Sequence, residues 1–213
     1  MLLLAAGACI ASLLICRWIG LLLLPPTVVY VWLLWFFRDP EVRGPEEEGL
    51  FLTPADGIVA DITPVGKDSE LGCDGVRIGV FMSIFNIHVN RMPCDGRIEE
   101  VVHHPGEFLD VRRTEAYERN ESTTIRLSHR FRGTVYPVVV RQIAGLIARR
   151  IVTCLKPGQE LARGQRFGMI RFGSRLELLL PEPLAGNIRV RVGDRARLGE
   201  TVLAAAGGLE EDM

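Results

Sequence analysis

The chain has 213 residues, 48% of them hydrophobic and 24% charged, with a formal net charge of −1. A chain of this size buries roughly 70% of its unfolded surface, and the composition excludes a disordered chain, a collagen-like fibre and a small disulfide scaffold. No basic excess points to a nucleic-acid partner, and only Lys67 and Lys156 among the basic residues are lysines.

Residues 1–37 carry a single charge, Arg17, between two uncharged runs, Met1–Cys16 and Trp18–Phe37. A hydrocarbon core of ~30 Å takes about 20 apolar residues as helix, a length that Trp18–Phe37 meets. Pro25-Pro26 should kink or interrupt it, so two half-helices in a re-entrant hairpin fit as well as a span. Trp18 near one end, with Trp32 and Trp35 near the other, suits interfacial aromatic belts. A cleaved signal peptide fits less well, because no basic residues precede the first run and the apolar stretch is too long. A buried hairpin of the core is the plain alternative. Residues 1–37 are read as a membrane anchor and 38–213 as a soluble domain. That domain holds all but one of the 25 basic residues and all 26 acidic ones. Arg38 and Arg43 follow the apolar run and favour the cytoplasmic side of a cell membrane.

Beyond residue 50 helical periodicity is scarce. Short apolar runs are punctuated by Gly, Pro and Asp, the pattern of many short strands in a β-sandwich or barrel-like domain with few helices. Asp56-Gly57, Asp74-Gly75 and Asp95-Gly96 are turn signals. The clearest helix expectation is Arg141–Ile151, a segment that could also begin as a strand. Residues 155–170 and 190–204 share a pattern of two glycines followed by an apolar strand. Glycine at fixed offsets permits positive φ in two successive turns, and the pattern resembles the hammerhead half-barrel of biotinyl and lipoyl domains. The five cysteines, Cys9, Cys16, Cys73, Cys94 and Cys154, show no CxxC spacing and read as buried free thiols rather than a disulfide or zinc site.

Nucleotide-binding, nucleophile-elbow and zinc-protease motifs are missing from the sequence. His103-His104, before Pro105-Gly106, reads as an exposed loop pair, and His129 as a solvated strand end. His88 differs: it ends an apolar stretch, 81–88, before Asn90, Arg91 and a Pro-Cys-Asp-Gly turn, where a buried ring would need hydrogen-bond partners. Asp56 alone reads as a turn residue. Gly173-Ser174 interrupts an apolar, strand-like run. Glycine there marks a bulge or a close backbone approach. It also leaves the Gly173 carbonyl open to the Ser174 hydroxyl, so that a base could drive an N-to-O acyl shift across a strained bond.

Three motifs together, PADG at 54–57, FNIHVNRMPCDG at 85–96 and FGS at 172–174, resemble phosphatidylserine decarboxylase, most closely its short, archaeal-type branch. YERN at 117–120 and the segment 141–151 are similar to that branch as well, so the resemblance covers roughly residues 38–206. It implies a proenzyme whose Ser174 attacks Gly173. β-Elimination would then leave a covalent pyruvoyl group at position 174, with a β chain of 1–173 and an α chain of 174–213. By the same resemblance His88 is the general base and Asp56 orients its imidazolium, in the manner of a serine-hydrolase triad. Longer relatives have a second histidine where this chain has Arg91. Arg91 either shares the work of His88 or pairs with the phosphate or carboxylate of the substrate.

The implied partners are the membrane, its phospholipid substrate and the chain's own two fragments, with a higher oligomer open. The implied activity is conversion of phosphatidylserine to phosphatidylethanolamine. A pyruvoyl carbonyl supplies the electron sink that pyridoxal phosphate provides elsewhere, and neither Lys67 nor Lys156 lies in a phosphate-binding context. No metal is expected. A membrane-anchored biotinyl- or lipoyl-like adaptor is the alternative, weakened because Lys156 does not sit at a Met-Lys hairpin tip; an unprocessed lipid-binding protein is a third.

Overall fold

A computed structural model describes residues 2–111, 115–146, 150–170 and 173–207. The chain divides into two compact units, Met1–Arg38 and Asp39–Met213.

The first unit is one helix, α1 (Leu2–Phe36), running through Pro25 and Pro26. Those prolines leave the Leu21 and Leu22 carbonyls without their helical donors, and the Thr27 hydroxyl donates to Leu23 O at 2.8 Å. The expected interruption is absent: the helix continues through both prolines. Within it Arg17–Phe36, with mean hydropathy 2.0, is long and apolar enough to cross a membrane. Trp18, Leu22 and Tyr30 are exposed, unlike the side chains of a core helix.

The second unit is mainly β, as the short apolar runs imply. In chain order its strands are β1 (Leu50–Leu52), β2 (Gly57–Val65), β3 (Gly75–Met82), β4 (Val89–Arg91) and β5 (Gly96–His104). The short helix α2 (Ala116–Arg119) follows, then β6 (Ser122–Phe131), β7 (Thr134–Ile143), β8 (Ile151–Thr153), β9 (Glu160–Leu161) and β10 (Arg166–Ile170). The chain closes with β11 (Ser174–Pro181), β12 (Asn187–Ile188), β13 (Arg195–Ala196) and β14 (Val202–Ala205). Eight strands form one sheet in the order β13-β2-β3-β11-β7-β6-β5-β9, beside two three-stranded sheets, β1-β14-β12 and β4-β10-β8. The inward residues Ile78, Val80, Met82, Val138, Val140, Leu176, Leu178 and Leu180 build the core with Phe51, Met92 and Phe167.

The glycine repeat is real in three dimensions. Gly158 and Gly164 have φ 85° and 75°, and Gly193 and Gly199 have φ 96° and 61°. Each pair, six residues apart, turns the chain against an Asp-Gly corner: Gly96 faces Leu161 and Gly57 faces Ala196. β2 and β5 each carry a register irregularity at the same offset, between Val59 and Asp61 and between Ile98 and Glu100. The unit therefore contains two copies of one arrangement, and Asp56 and Asp95 occupy equivalent corners.

Two expectations are corrected. Arg141–Ile151 is not a helix: Arg141–Ile143 end β7, residues 147–149 lie outside the described residues, and Ile151 opens β8. β7 lies between β6 and β11, and its alternating inward side chains continue the strand through Ile143; tertiary pairing overrides the local helical pattern. His129 is not solvated. It is buried, with Nδ1 2.7 Å from Asp95 O and its ring edge-on to Phe51 at 5.4 Å. His103 and His104 are exposed as expected, although they end β5 rather than sit in a loop. Cys94 is a buried thiol, pushed up in pKa by burial and by the Asp95 charge. Cys73 is half-buried and Cys154 exposed.

Candidate active site

β11 is buried along its whole length. Strand alternation puts Ser174, Leu176, Leu178 and Leu180 on the core face and Arg175, Glu177 and Leu179 on the other. Ser174 is fully buried, pairs with Met82 of β3, and its hydroxyl points at the Met82 sulfur at 3.5 Å. Immediately before it Gly173 takes φ 62°, a left-handed conformation in which a side chain would be strained. The Gly173 carbonyl oxygen fills the space where a side chain of Gly145 would stand; a Cβ there would collide with it. Two glycines thus hold the 173–174 peptide in place. Phe172 of the FGS motif lies outside the described residues.

Both flanks of that peptide lead to His88. From Met82, opposite Ser174, the chain passes through the 83–88 turn to His88. From the other side, Ile170 N donates to His88 O at 3.2 Å, four residues before Ser174. His88 is fully buried, and its Nδ1 lies 2.8 Å from Asn86 O. A carbonyl oxygen only accepts, so Nδ1 carries the proton and the imidazole lone pair is on Nε2. That is the tautomer a general base needs.

Asp56 stands at the Asp-Gly corner where β2 begins, and Gly57 lies so close to Phe81 O that a Cβ would strike it. The corner is thereby pressed against the end of β3. Asp56 Oδ2 accepts from Asn86 Nδ2 at 2.9 Å and from Ile87 N at 3.1 Å. Asn86 Oδ1 in turn accepts from Ser83 N and Ser83 Oγ, at 2.8 and 2.7 Å. Asp56 thus fixes the turn whose carbonyl orients His88. Asn86, which links the two, was not singled out by the sequence; its place inside the 85–96 motif is the signal that could have found it. A cleft of about 330 Å³ opens at this corner, with Gly57, Phe81, Ser83 and Asn86 among its walls.

Arg91 is placed one strand further on. Its guanidinium pairs with Asp39 at 2.6 Å and donates to Pro40 O at 3.0 Å and Gly164 O at 2.9 Å. It thus joins the start of the unit to β4 and to the turn at Gly164.

On the opposite face of β11, Arg175 is buried and lies over bare Gly79, where a Cβ would collide with its guanidinium. Asp61 receives it through both terminal nitrogens, Nη2 to Oδ1 at 2.9 Å. Its Nε donates to Glu177 at 2.9 Å, and the Tyr117 ring covers it at 4.0 Å. Burial disfavours this charge, but the Asp61 hydrogen bonds and the charges of Glu177 and Asp61 outweigh burial and raise its pKa. Arg77 and Arg141 flank Glu177 at 3.8 Å each. Residue 174 is therefore followed directly by a side chain locked into an ionic layer.

A sequence model of the phosphatidylserine decarboxylase family matches residues 29–204. The chain is also 46% identical over 190 residues to the phosphatidylserine decarboxylase proenzyme of Nitrobacter winogradskyi, covering 88% of this chain and 72% of that one. The chain belongs to the phosphatidylserine decarboxylase family. The match spans the segments that carry Asp56, His88, Gly173 and Ser174. For a member of this family the residues present fit the pyruvoyl group. A serine supplies its atoms, the preceding residue is a glycine in a conformation only glycine takes freely, and a histidine in the base tautomer is tied to the same segment.

Proposed function

We propose that the chain is a proenzyme that breaks its own Gly173–Ser174 bond and, so matured, decarboxylates phosphatidylserine to phosphatidylethanolamine at a membrane. The observation that carries the reading is the 173–174 peptide itself, a left-handed glycine followed by a buried serine; His88, tied to the same segment through Ile170 N, supports it. His88 Nε2 takes the Ser174 hydroxyl proton, and Ser174 Oγ attacks the Gly173 carbonyl carbon. The C–N bond breaks as the C–O bond forms, and the proton passes to the freed amine. β-Elimination of that ester removes the residue 174 α-proton, releases the β chain 1–173 as a carboxylate and leaves dehydroalanine at 174; its imine tautomer adds water and loses ammonia, so that the α chain 174–213 begins with the pyruvoyl group. Asp56 acts through Asn86 and Ile87, keeping the turn in the form that orients His88.

When present, a pyruvoyl group at position 174 supplies an electron-accepting carbonyl through which a substrate carboxylate can leave as CO₂. The chain's own contribution is positional. β11 is held by the Arg175 layer on one face and by the core on the other, so the new chain end stays where Ser174 was. Arg91 is proposed as a contact for the phosphate or carboxylate of the headgroup, a role that requires it to release Asp39. Residues 1–37 keep the site at the bilayer, with the β domain on the cytoplasmic side.

Gel electrophoresis and intact-mass measurement test this directly. The purified protein should show two fragments, the smaller beginning at residue 174 with a blocked end. Ser174→Ala should give one full-length, inactive chain. His88→Ala and Asp56→Asn should slow cleavage by about 10²–10⁴-fold, the usual contribution of a positioned base. Two fragments from Ser174→Ala would exclude the assignment.

A further inference from the structure

One pair of buried side chains near Ser174 has no place in self-cleavage. Gln142 of β7 faces Leu176 across the β7–β11 ladder. Paired residues of an antiparallel ladder project to the same face, so Gln142 shares the core-side face of β11 with Leu176 and Ser174. On the facing sheet, Asn90 of β4 lies two residues after His88. Gln142 Nε2 donates to Asn90 Oδ1 at 2.8 Å, and bare Gly168 of β10 leaves the amide room, a Cβ there standing 3.1 Å from Gln142 Nε2. Both residues are fully buried. Among the described residues Asn90 Nδ2 and Gln142 Oε1 have no hydrogen-bond partner.

An amide pair joined by one hydrogen bond leaves one NH₂ and one carbonyl over. Exchanging O and N in both amides leaves the same remainder. Two unsatisfied groups in a core are destabilising, and two apolar side chains of similar shape would fill the space without that penalty. A polar pair retained at such a place, on the wall that Ser174 shares, is accounted for by a ligand that carries a matching acceptor and donor. The headgroup of an aminophospholipid carries both: N–H donors on its amine and acceptor oxygens on its carboxylate and phosphate.

We propose that Asn90 and Gln142 contact the substrate headgroup, the carbonyl accepting from the amine and the NH₂ donating to an anionic oxygen. The inference rests on the reading of residue 174 as the reacting centre. Ser174 is as deeply buried as the pair, so whatever admits substrate to position 174 admits it to these amides.

The test is the double variant Asn90→Leu/Gln142→Met in the full chain, assayed for cleavage, thermal stability and kinetics on a short-chain, monomeric phosphatidylserine. It should cleave as wild type does and melt no lower than wild type, while KM rises about tenfold or more, the loss expected for two hydrogen bonds. Calorimetry gives a second readout. Glycerophosphoethanolamine, which has amine N–H groups, should bind the processed wild type better than glycerophosphocholine, which has none, and Gln142→Leu should abolish that preference. A lower melting temperature with unchanged KM would make the pair structural and overturn the proposal. So would loss of cleavage, or unchanged KM and headgroup preference. Failure of the wild type itself to cleave or to use phosphatidylserine would instead strike the underlying reading.

Discussion

A serine hydroxyl facing a methionine sulfur in an apolar core is a poor nucleophile unless a base reaches it and its target carbonyl is held still. Gly173 and Gly145 hold the carbonyl, and in the proposed mechanism the base is His88, on the turn that Asp56 braces. Arg91 poses the open question at this scale, because Asp39, Pro40 and Gly164 already engage it. If Arg91 serves the headgroup, Arg91→Ala should raise KM for phosphatidylserine about tenfold, the worth of a charge-assisted hydrogen bond. Asp39→Ala should not raise it, since it releases the same guanidinium, and self-cleavage should be normal in both. Equal losses in the two variants would assign Arg91 to holding residues 39–40 instead. Asp56, His88 and Ser174 were legible in the sequence through the family resemblance of the motifs that hold them, Asp56 by itself reading as a turn residue. Asn86, Gln142 and Gly145 were not, because the contacts that single them out are with partners between 28 and 52 residues away in the chain.

At the scale of elements, β7 and β11 meet where the scissile peptide begins, and Gly145 is the point of contact. A methyl group at Gly145 must push the Gly173 carbonyl aside, and displacements of about 1 Å at a reacting centre slow reactions by about 10²-fold. Gly145→Ala should therefore accumulate uncleaved chain, followed as band intensities over time. Gly75→Ala is the control: its methyl strikes Leu180 O at the other end of β11, so it strains the same strand away from the bond. Comparable cleavage defects in the two would mean that general strain, not carbonyl placement, is responsible. The sequence conveyed the elements unevenly for a related reason. Asp-Gly corners and glycine pairs announce themselves, since positive φ is costly for other residues. The β6–β7 hairpin turns on Arg132-Gly133, with φ 48° and 83°, and an arginine in that position gives little warning. The 141–151 segment looked helical because its apolar spacing is helical, while cross-strand pairing decided otherwise.

At the scale of the whole molecule, the division at Arg38 separates a helix suited to lipid from a β unit with its own core. The groups assigned to processing, Asp56, His88, Gly173 and Ser174, all belong to the second unit. Its core residues do too: Phe51, Ile78, Leu176 and their neighbours. A chain beginning at residue 38 should consequently fold, remain in solution and cleave itself at a rate close to that of the full chain. Its activity should depend on how substrate is presented. A bilayer substrate must be met at the membrane surface, and a helix of about 20 apolar residues makes membrane residence effectively irreversible. Removing it converts a search within a surface into a search through solution. Activity on phosphatidylserine vesicles should therefore fall much further than activity on a monomeric short-chain analogue, when each is measured as a ratio to the full chain. Equal losses on the two substrates, or loss of self-cleavage, would show that residues 1–37 complete the fold of the β unit rather than deliver it to lipid.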